Sequence, residues 1–102
     1  MTGAERIASE RQRQIDVEGY SSDHDYQHDD GALAIAADCY LTWGTLQVEN
    51  QDPVRIYGSL PDWWPWEPRD WKPSDDPIRN FEKAGALIAA EMDRLIARTA
   101  KP

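Results

Sequence analysis

The stretch Asp62-Trp63-Trp64-Pro65-Trp66-Glu67-Pro68-Arg69-Asp70-Trp71-Lys72-Pro73 decides how this sequence can fold, because it combines four tryptophans with three prolines. Each proline fixes the backbone angle φ and lacks an N–H donor, so these residues cannot form a regular helix or a central strand. We therefore predict a stiff, ordered loop over residues 62–73. Its large rings can close over the core of a small domain, and rings that the core cannot hold can stack on a flat ligand or anchor a protein interface.

The residues after this loop predict the longest helix, over about 76–98. Polar residues 74–76 can cap it, and Pro77 suits its first turn. The small residues Ala84–Ala86 predict the close approach of a ring or a backbone. Leu87 lies away from the main apolar arc and predicts a second contact surface, such as a partner subunit. The arc itself, which we expect to face the core, consists of Ile78, Phe81, Ala84, Gly85, Ile88, Met92, Leu95 and Ile96.

Two shorter helices are predicted in the first half of the chain. A capping box at Thr2–Glu5 starts a helix over about 3–18. A second helix is predicted over about 31–43, with Gly44 as its stop signal. Residues 45–60 then alternate weakly between apolar and polar, which fits a short β-hairpin or an ordered loop. The expected fold is a mainly α, three-helix single domain over the whole chain of 102 residues.

The chain is acidic, and its formal charge of −8 is concentrated in the middle. Nine Asp or Glu and no Lys or Arg lie between Arg13 and Arg55. This negative field disfavours direct binding to nucleic acid or to an anionic membrane. It is suited to binding a metal cation or a basic protein surface. Alternatively, the acidic residues only make a loop soluble. The chain has no apolar run of about 18 residues, no secretory signal and one cysteine, Cys39, so we expect a cytoplasmic protein.

The acidic region contains a candidate metal site. His24 and His28 would share one face if residues 20–30 form a helical turn, and Asp25 lies between them. Imidazole and carboxylate groups suit Zn, Mn or Fe, so a divalent metal is the one cofactor that the sequence suggests. The pair lacks the Glu of the metalloprotease helix motif, and two other interpretations stay open. In the first, His24 contacts a ligand other than a metal ion. In the second, the segment caps a helix or forms a solvent-exposed loop.

A second candidate site combines the Trp/Pro-rich loop with basic residues. Arg69 and Lys72 lie beside the rings, and stacking together with charge-assisted hydrogen bonds would hold a planar anion such as a nucleotide. On the first helix, Arg11 shares the side that carries the apolar residues, so its head either enters a pocket or reaches the rim of the core. The predicted ligand-binding residues are Arg11, Arg13, His24, Trp64, Trp66, Arg69, Trp71 and Lys72.

The sequence contains no recognisable enzyme motif. It has no Gly-rich phosphate loop, no nucleophile elbow and no cysteine beside an activating neighbour, so no catalytic residue is predicted and binding is favoured over catalysis. Cys39 lies in an Ala-rich segment and is expected to be a small core residue.

Several short motifs form a pattern along most of the chain: Glu10-Arg11-x-Arg13-Gln14, Glu18-Gly19, His24-Asp25-x-x-His28, Gly31-x-Leu33-Ala34-x-Ala36-Ala37-x-x-Tyr40, Trp64-Pro65-Trp66, Trp71-Lys72-Pro73 and Lys83-Ala84-Gly85-Ala86-Leu87-Ile88-x-Ala90-Glu91. This pattern resembles short bacteriophage and prophage proteins of unassigned function. The resemblance implies an accessory protein inside an infected or lysogenic bacterium, which sequesters a nucleotide immune signal or blocks a host defence protein. The two terminal helices and the Glu-Gly-aromatic step are also similar to the ryanodine-receptor repeat domain, a small helical module.

Three functions therefore compete. The favoured one is a protein that binds a small anionic, nucleotide-like ligand. The first alternative is an acidic inhibitor that places the region Asp16–Asp52 on a basic surface of a host protein. The second is a metal-dependent hydrolase centred on His24, Asp25 and His28. The small core and the off-arc Leu87 favour a homo-oligomer, since small domains gain stability from extra buried area.

Overall fold

The computed structural model describes residues 1–18 and 30–100, and every structural statement below concerns these two ranges. The prediction of a small, mainly α domain is confirmed. No helix in the two ranges is long and apolar enough to cross a membrane. The elements in chain order are α1 (Gly3–Glu18), α2 (Ala32–Val48), α3 (Pro53–Tyr57), a short 3₁₀ turn (Pro68–Asp70) and α4 (Pro77–Ala100).

Helix α4 is the centre of the fold. It packs against α2 on one side and against α1 on another, whereas α1 and α2 have no comparable contact with each other in the part of the chain that is described. The short helix α3 packs against α2. The two helices that flank α4 therefore leave a space between them, and α4 forms its floor.

Local signals set the starts of α1 and α4 as predicted. In α1 the Thr2 N–H donates to Glu5 Oε1 over 2.8 Å, and the Glu5 N–H donates to Thr2 Oγ1 over 3.2 Å. This is the reciprocal pairing of a capping box. In α4 the Asp76 carboxylate accepts a hydrogen bond from the Ile78 N–H over 3.0 Å, and Pro77 occupies the first turn.

Helix α2 continues past Gly44 to Val48, so the predicted stop at Gly44 is wrong. Gly44 serves packing instead: a Cβ at this position would lie 2.8 Å from Phe81 Cε1, so only bare backbone lets that ring of α4 come so close. The chain turns at Asn50, whose φ of 61° is left-handed. Residues 45–60 contain the end of α2 and all of α3, and the β-hairpin interpretation is wrong because no strand occurs in the described ranges.

Most of the apolar arc of α4 does not face the core, contrary to the prediction, although Ala84 is buried in the core cluster and Phe81 packs against Gly44 of α2. Leu87, the residue away from that arc, is 2% exposed and belongs to the core. The arc residues Ile88, Met92 and Ile96 are 46%, 57% and 63% exposed. The reason is that the bulky rings of α2 and of the loop gather on the side of α4 that carries Leu87 and small alanines. Leu87 therefore gives no support to a contact between subunits.

Helix α1 docks on α4 through an aliphatic contact at Gly85 and through polar side chains. Ile7 Cδ1 lies 2.6 Å from the position of a Cβ at Gly85, so this small residue admits an aliphatic chain, where a ring or a backbone was predicted. Nearby, Arg6 Nη1 donates to Glu82 Oε1 over 2.8 Å, and Glu10 is buried. Polar side chains of α1 thus occupy part of its interface with α4. The helical periodicity of the sequence assigns that interface to apolar side chains.

The core is an aromatic cluster between α2 and the Trp/Pro-rich loop. The rings of Tyr40 and Trp71 have centroids 4.5 Å apart, and Tyr40 meets Trp64 edge-on at 5.7 Å. Trp71 also contacts Trp43 at 5.1 Å and Trp64 at 5.0 Å. Such ring pairs contribute about 0.5–1.5 kcal/mol each beyond their area burial. The prediction that rings of the loop close the core is therefore confirmed for two of them, Trp64 and Trp71.

Hydrogen bonds hold the Trp/Pro-rich loop at both ends. At its start, Trp63 Nε1 donates to Asp38 Oδ2 of α2 over 2.9 Å. After its end, the fully buried Asn80 of α4 accepts from the Ser74 N–H over 2.9 Å and donates to the Ser74 carbonyl over 2.8 Å. The rings between these anchors are consequently held in place by backbone and side chain together.

Candidate functional site

A cleft of about 400 Å³ opens above α4, between α1, α2 and the Trp/Pro-rich loop. Small-molecule sites usually measure about 300–1,000 Å³, so this cleft suits a small ligand. Among the lining residues of the described ranges, four side chains are basic and two are acidic, a formal charge of +2. The lining residues are Glu10, Arg13, Gln14, Tyr40, Trp64, Trp66, Asp70, Lys72, Arg79, Lys83 and Leu87.

The structure brings four of the predicted ligand-binding residues into this cleft. Trp64, Trp66 and Lys72 come from the loop, and Arg13 comes from α1. Trp64 is buried and also belongs to the core cluster, whereas Trp66 is half-buried. Their rings meet edge-on with centroids 5.5 Å apart. Trp66 is therefore the indole of the cleft that offers more surface to an occupant.

Three other predicted residues lie elsewhere. Arg11 is buried beside α4, and its Nε and Nη2 donate to Asp93 Oδ2 over 3.3 and 3.1 Å. Trp71 lies in the core cluster, and Arg69 is exposed on the 3₁₀ turn. The cleft therefore contains one of the two predicted arginines of α1 and one of the two predicted basic residues of the loop.

The predicted metal site, His24, Asp25 and His28, lies outside the described residues, and so does the predicted ligand contact of His24. Within 1–18 and 30–100, no three His, Cys, Asp or Glu side chains are grouped in a way that could hold a metal ion. Cys39 is buried, as expected of a core residue. Its burial, together with the charge of Asp38, raises the pKa of the thiol to about 12, so the nucleophilic thiolate is absent at neutral pH.

The floor of the cleft consists of α4 residues that the sequence analysis missed. Arg79, Lys83 and Leu87 are spaced four residues apart and therefore share one face of the helix. The four-residue spacing of two basic side chains is a signal that could have identified them. The larger residues of the apolar arc of α4 lie on a different face, and that stronger pattern was interpreted as the face of the core.

One end of the cleft, which we call the arginine end, consists of Glu10, Arg13 and Arg79. Glu10 is 3% exposed; it accepts two 2.8 Å hydrogen bonds from Arg13 Nε and Nη2, and one of 2.7 Å from Arg79 Nη1. Burial by itself would raise the pKa of Glu10, but the bonds from Arg13 and Arg79 outweigh it and hold the pKa below its ordinary value. Glu10 is therefore ionised and binds both guanidinium groups. Arg79 Nη1 also donates to Glu82 Oε2 over 2.9 Å.

Gln14 lies next to the arginine end and is 3% exposed. Its Nε2 donates to Glu10 Oε2 over 3.2 Å. Its Oε1 is buried and accepts no hydrogen bond from any residue of the described ranges. A buried acceptor without a donor costs about 1–3 kcal/mol, so a donor group on an occupant of the cleft would stabilise this wall.

A second group of lining residues, which we call the lysine end, consists of Lys72, Lys83 and Tyr40. Lys83 Nζ donates to the carbonyl oxygen of Lys72 and lies 5.4 Å from the centroid of the Tyr40 ring. The Tyr40 hydroxyl accepts a hydrogen bond from the Lys72 N–H over 3.1 Å. These contacts join the loop to α2 and α4, and they place both lysines beside the aromatic wall formed by Tyr40, Trp64 and Trp66.

The cleft thus combines aromatic rings, basic side chains and a buried acceptor in one small volume. Rings bind flat apolar groups, and guanidinium and ammonium groups bind anions. The arrangement can therefore hold a ligand that is flat at one end and negatively charged at the other. Comparison with protein-family models, with curated proteins and with solved structures finds no match for this chain.

Proposed function

We propose that this protein binds a small anionic, nucleotide-like ligand in the cleft between α1, α2 and the Trp/Pro-rich loop. The observation that carries the proposal is the coincidence of two indole rings with four basic side chains in one cleft of about 400 Å³. The contrast in charge is a further support. The described lining residues carry a formal charge of +2 in a chain of charge −8, so they would attract an anion that the acidic chain as a whole repels.

The aromatic wall would recognise the flat part of the ligand. A base stacked on the half-buried Trp66 gains about 1–3 kcal/mol, and the neighbouring Trp64 and Leu87 exclude water from the contact. The buried Gln14 Oε1 is an acceptor for an amino or imino group of the base, and binding would supply the donor that it lacks among the described residues.

Tryptophan fluorescence and calorimetry test this proposal directly. We expect nucleotides to quench the fluorescence and to release heat with one-to-one stoichiometry, because the rings and the bound base are in contact. The test uses the four common ribonucleotides and their nucleosides. Absence of binding by all of them at millimolar concentration would refute the proposal.

Two pairs of variants separate the cleft from residues outside it. Lys72→Met and Arg69→Met remove the same charge from the same loop, but only Lys72 lines the cleft. We expect Lys72→Met to weaken binding about tenfold and Arg69→Met to leave it unchanged. Trp66→Ala should weaken binding by a similar factor, with Tyr57→Ala as its control, because Tyr57 is an exposed ring outside the cleft. Equal losses within either pair would contradict the assignment.

We further propose that the protein sequesters its ligand inside an infected bacterium, in opposition to a nucleotide-based defence. The support is the resemblance of its motifs to small bacteriophage proteins. A sequestering protein returns its ligand intact, so nucleotide recovered from the complex after prolonged incubation should be unchanged and equimolar with the protein. Consumption of the nucleotide would instead identify an enzyme.

A further inference from the structure

The C-terminal half of α4 carries four large apolar side chains that remain open to solvent. Ile88, Met92, Leu95 and Ile96 are 46%, 57%, 43% and 63% exposed, and their spacing places them on one side of the helix. We call these four residues the α4 patch. Their exposed surfaces together amount to roughly 400 Å², which is as large as the largest apolar patch of a typical monomer, and such patches commonly mark interaction sites.

The fold and the cleft do not explain the α4 patch. The core cluster lies on the side of α4 that carries Leu87, and α1 contacts α4 at Gly85 and Asp93. Among the described residues, the members of the patch belong neither to the core cluster nor to the lining of the cleft. Their apolar character therefore calls for a partner outside the folded chain.

The shape of the patch suits a second copy of the same helix. Ile88, Met92 and Ile96 are four residues apart and form one ridge along α4. In the commonest class of helix packing, ridges of this spacing on two helices interdigitate. A contact about a two-fold axis uses the same surface on both copies, so one such ridge is sufficient for both sides of the interface.

The area of the patch is sufficient for a weak dimer. Two copies would bury roughly 800 Å² of apolar surface, and about 56–65% of an interface is apolar, so the total including a polar rim is roughly 1,300 Å². This value lies near the lower limit of about 1,200 Å² for specific interfaces. We therefore expect a reversible dimer with a dissociation constant of at least about 10 μM, so unfolding measured at about 1 μM concerns the monomer.

The charges of α4 favour a second copy over other occupants. The helix has four basic and three acidic side chains, a formal charge of +1. Glu91 is paired with Arg94, and Asp93 with Arg11, so the acidic residues beside the patch are neutralised. Two copies of α4 can therefore approach each other closely. An anionic membrane would repel the chain of charge −8, and a basic partner would favour its acidic region over this nearly neutral helix.

We infer that the α4 patch is the contact surface of a homodimer, in which the α4 helices of two copies pack against each other about a two-fold axis. The inference does not depend on the proposed function. The lining of the cleft does not include the patch, so a variant can lose dimerisation and still bind a ligand in the cleft, or the reverse.

Sedimentation velocity at protein concentrations from about 1 to about 500 μM tests the inference. We expect the mean mass to rise from that of one chain toward that of two. High salt should strengthen the dimer, because salt screens the repulsion between two chains of charge −8 and leaves the apolar contact in place. A protein that stays monomeric at the highest concentration overturns the inference. A dimer that weakens in high salt also overturns it, because the contact would then join acidic and basic surfaces.

A pair of lysine substitutions locates the interface. Met92→Lys should weaken dimerisation at least about tenfold, because it places a charge in the middle of the apolar contact. Val54→Lys is the matched control, since Val54 is 53% exposed on α3 and lies outside the patch. Circular dichroism at 222 nm checks that both variants are folded, and Ile96→Lys provides a second variant of the patch. Equal effects of Met92→Lys and Val54→Lys, or a dimer that withstands Met92→Lys and Ile96→Lys, would refute the assignment.

Vesicles of zwitterionic phosphatidylcholine test the lipid surface as the other occupant. We expect the wild-type protein not to co-sediment with them. Co-sedimentation that Met92→Lys abolishes and Val54→Lys does not would assign the patch to a membrane surface and overturn the homodimer.

Discussion

Replacing Gly44 with alanine provides a sharp test of the packing between α2 and α4. In an exposed helix this change stabilises by about 1 kcal/mol, because alanine has the higher helix propensity. Here the new Cβ would lie 2.8, 3.0 and 3.2 Å from Cε1, Cδ1 and Cζ of Phe81. Overpacking of this kind costs about 1–3 kcal/mol when a rigid ring must move. We therefore expect Gly44→Ala to lower the free energy of unfolding by about 1 kcal/mol in total.

Gly85→Ala is the matched control on the other side of α4. Its Cβ would lie 2.6, 2.8 and 3.2 Å from Cδ1, Cγ1 and Cγ2 of Ile7, a half-buried side chain on α1. Cδ1 can move by rotation about χ2, but Cγ1 and Cγ2 move only if α1 shifts, because χ1 of a β-branched residue is restricted in a helix. We therefore expect Gly85→Ala to lose the gain in helix propensity and to be close to neutral. Urea denaturation followed by circular dichroism at 222 nm measures both variants, and an unchanged m-value shows that the denatured state is comparable. Equal stabilisation of the two variants by about 1 kcal/mol would refute the reasoning, because it is the result for an unobstructed helix.

Three further predictions concern the core, the arginine end and the cysteine. Leu87→Ala should lower the free energy of unfolding by about 2–5 kcal/mol, because Leu87 is buried. Ile88→Ala should lower it by less than about 1 kcal/mol, because Ile88 is 46% exposed. If urea denaturation gave the reverse order, the apolar arc would face the core. The pKa of Glu10 is lower in the folded protein than in the unfolded chain, so its contribution to stability is present above the unfolded value of about 4.3 and is lost as the pH falls through the lower folded value. Glu10→Gln should therefore flatten the dependence of stability on pH in that acidic window, and an equally steep curve would contradict the role of the two arginines. Cys39, buried and with its pKa raised to about 12, should react with a thiol reagent at pH 8 only after unfolding, and rapid reaction of the native protein would contradict its position in the core.

The helices at the two ends of the chain were predictable because their signals are local. The Thr2–Glu5 capping box needs only groups three residues apart, and the start of α4 needs only Asp76 and Pro77. The prolines of the loop act in the same way, since each restricts its own backbone. Such features depend on neighbours along the chain and are unaffected by the remainder of the fold.

The face that α4 turns to the core could not be predicted in this way. A helical wheel assigns the inner face to the widest apolar arc, yet Leu87 and small alanines are buried while Ile88 and Met92 are exposed. The deciding factor is the volume of the tryptophan and tyrosine rings, which need a partner surface of small residues. That requirement involves three separate elements, so no single segment expresses it.

Some of the residues that line the cleft could be predicted from the sequence, and others could not. Stacking rings and adjacent positive charge identified Trp64, Trp66 and Lys72, because these properties belong to the residues themselves. Arg79 and Lys83 were missed because they become part of the site only when α1 and the loop pack over α4.

The sequence by itself thus determined the helical class, the starts of the first and last helices, and the rigid aromatic loop, since these follow from backbone chemistry over a few residues. The tertiary structure alone decided the path of α2 past Gly44, the buried face of α4, and the pairing of Glu10 with Arg79 across 69 positions of sequence. These features depend on which surfaces can pack at close range and which charges can be paired when they are buried. Both conditions depend on contacts between segments that are distant in the sequence.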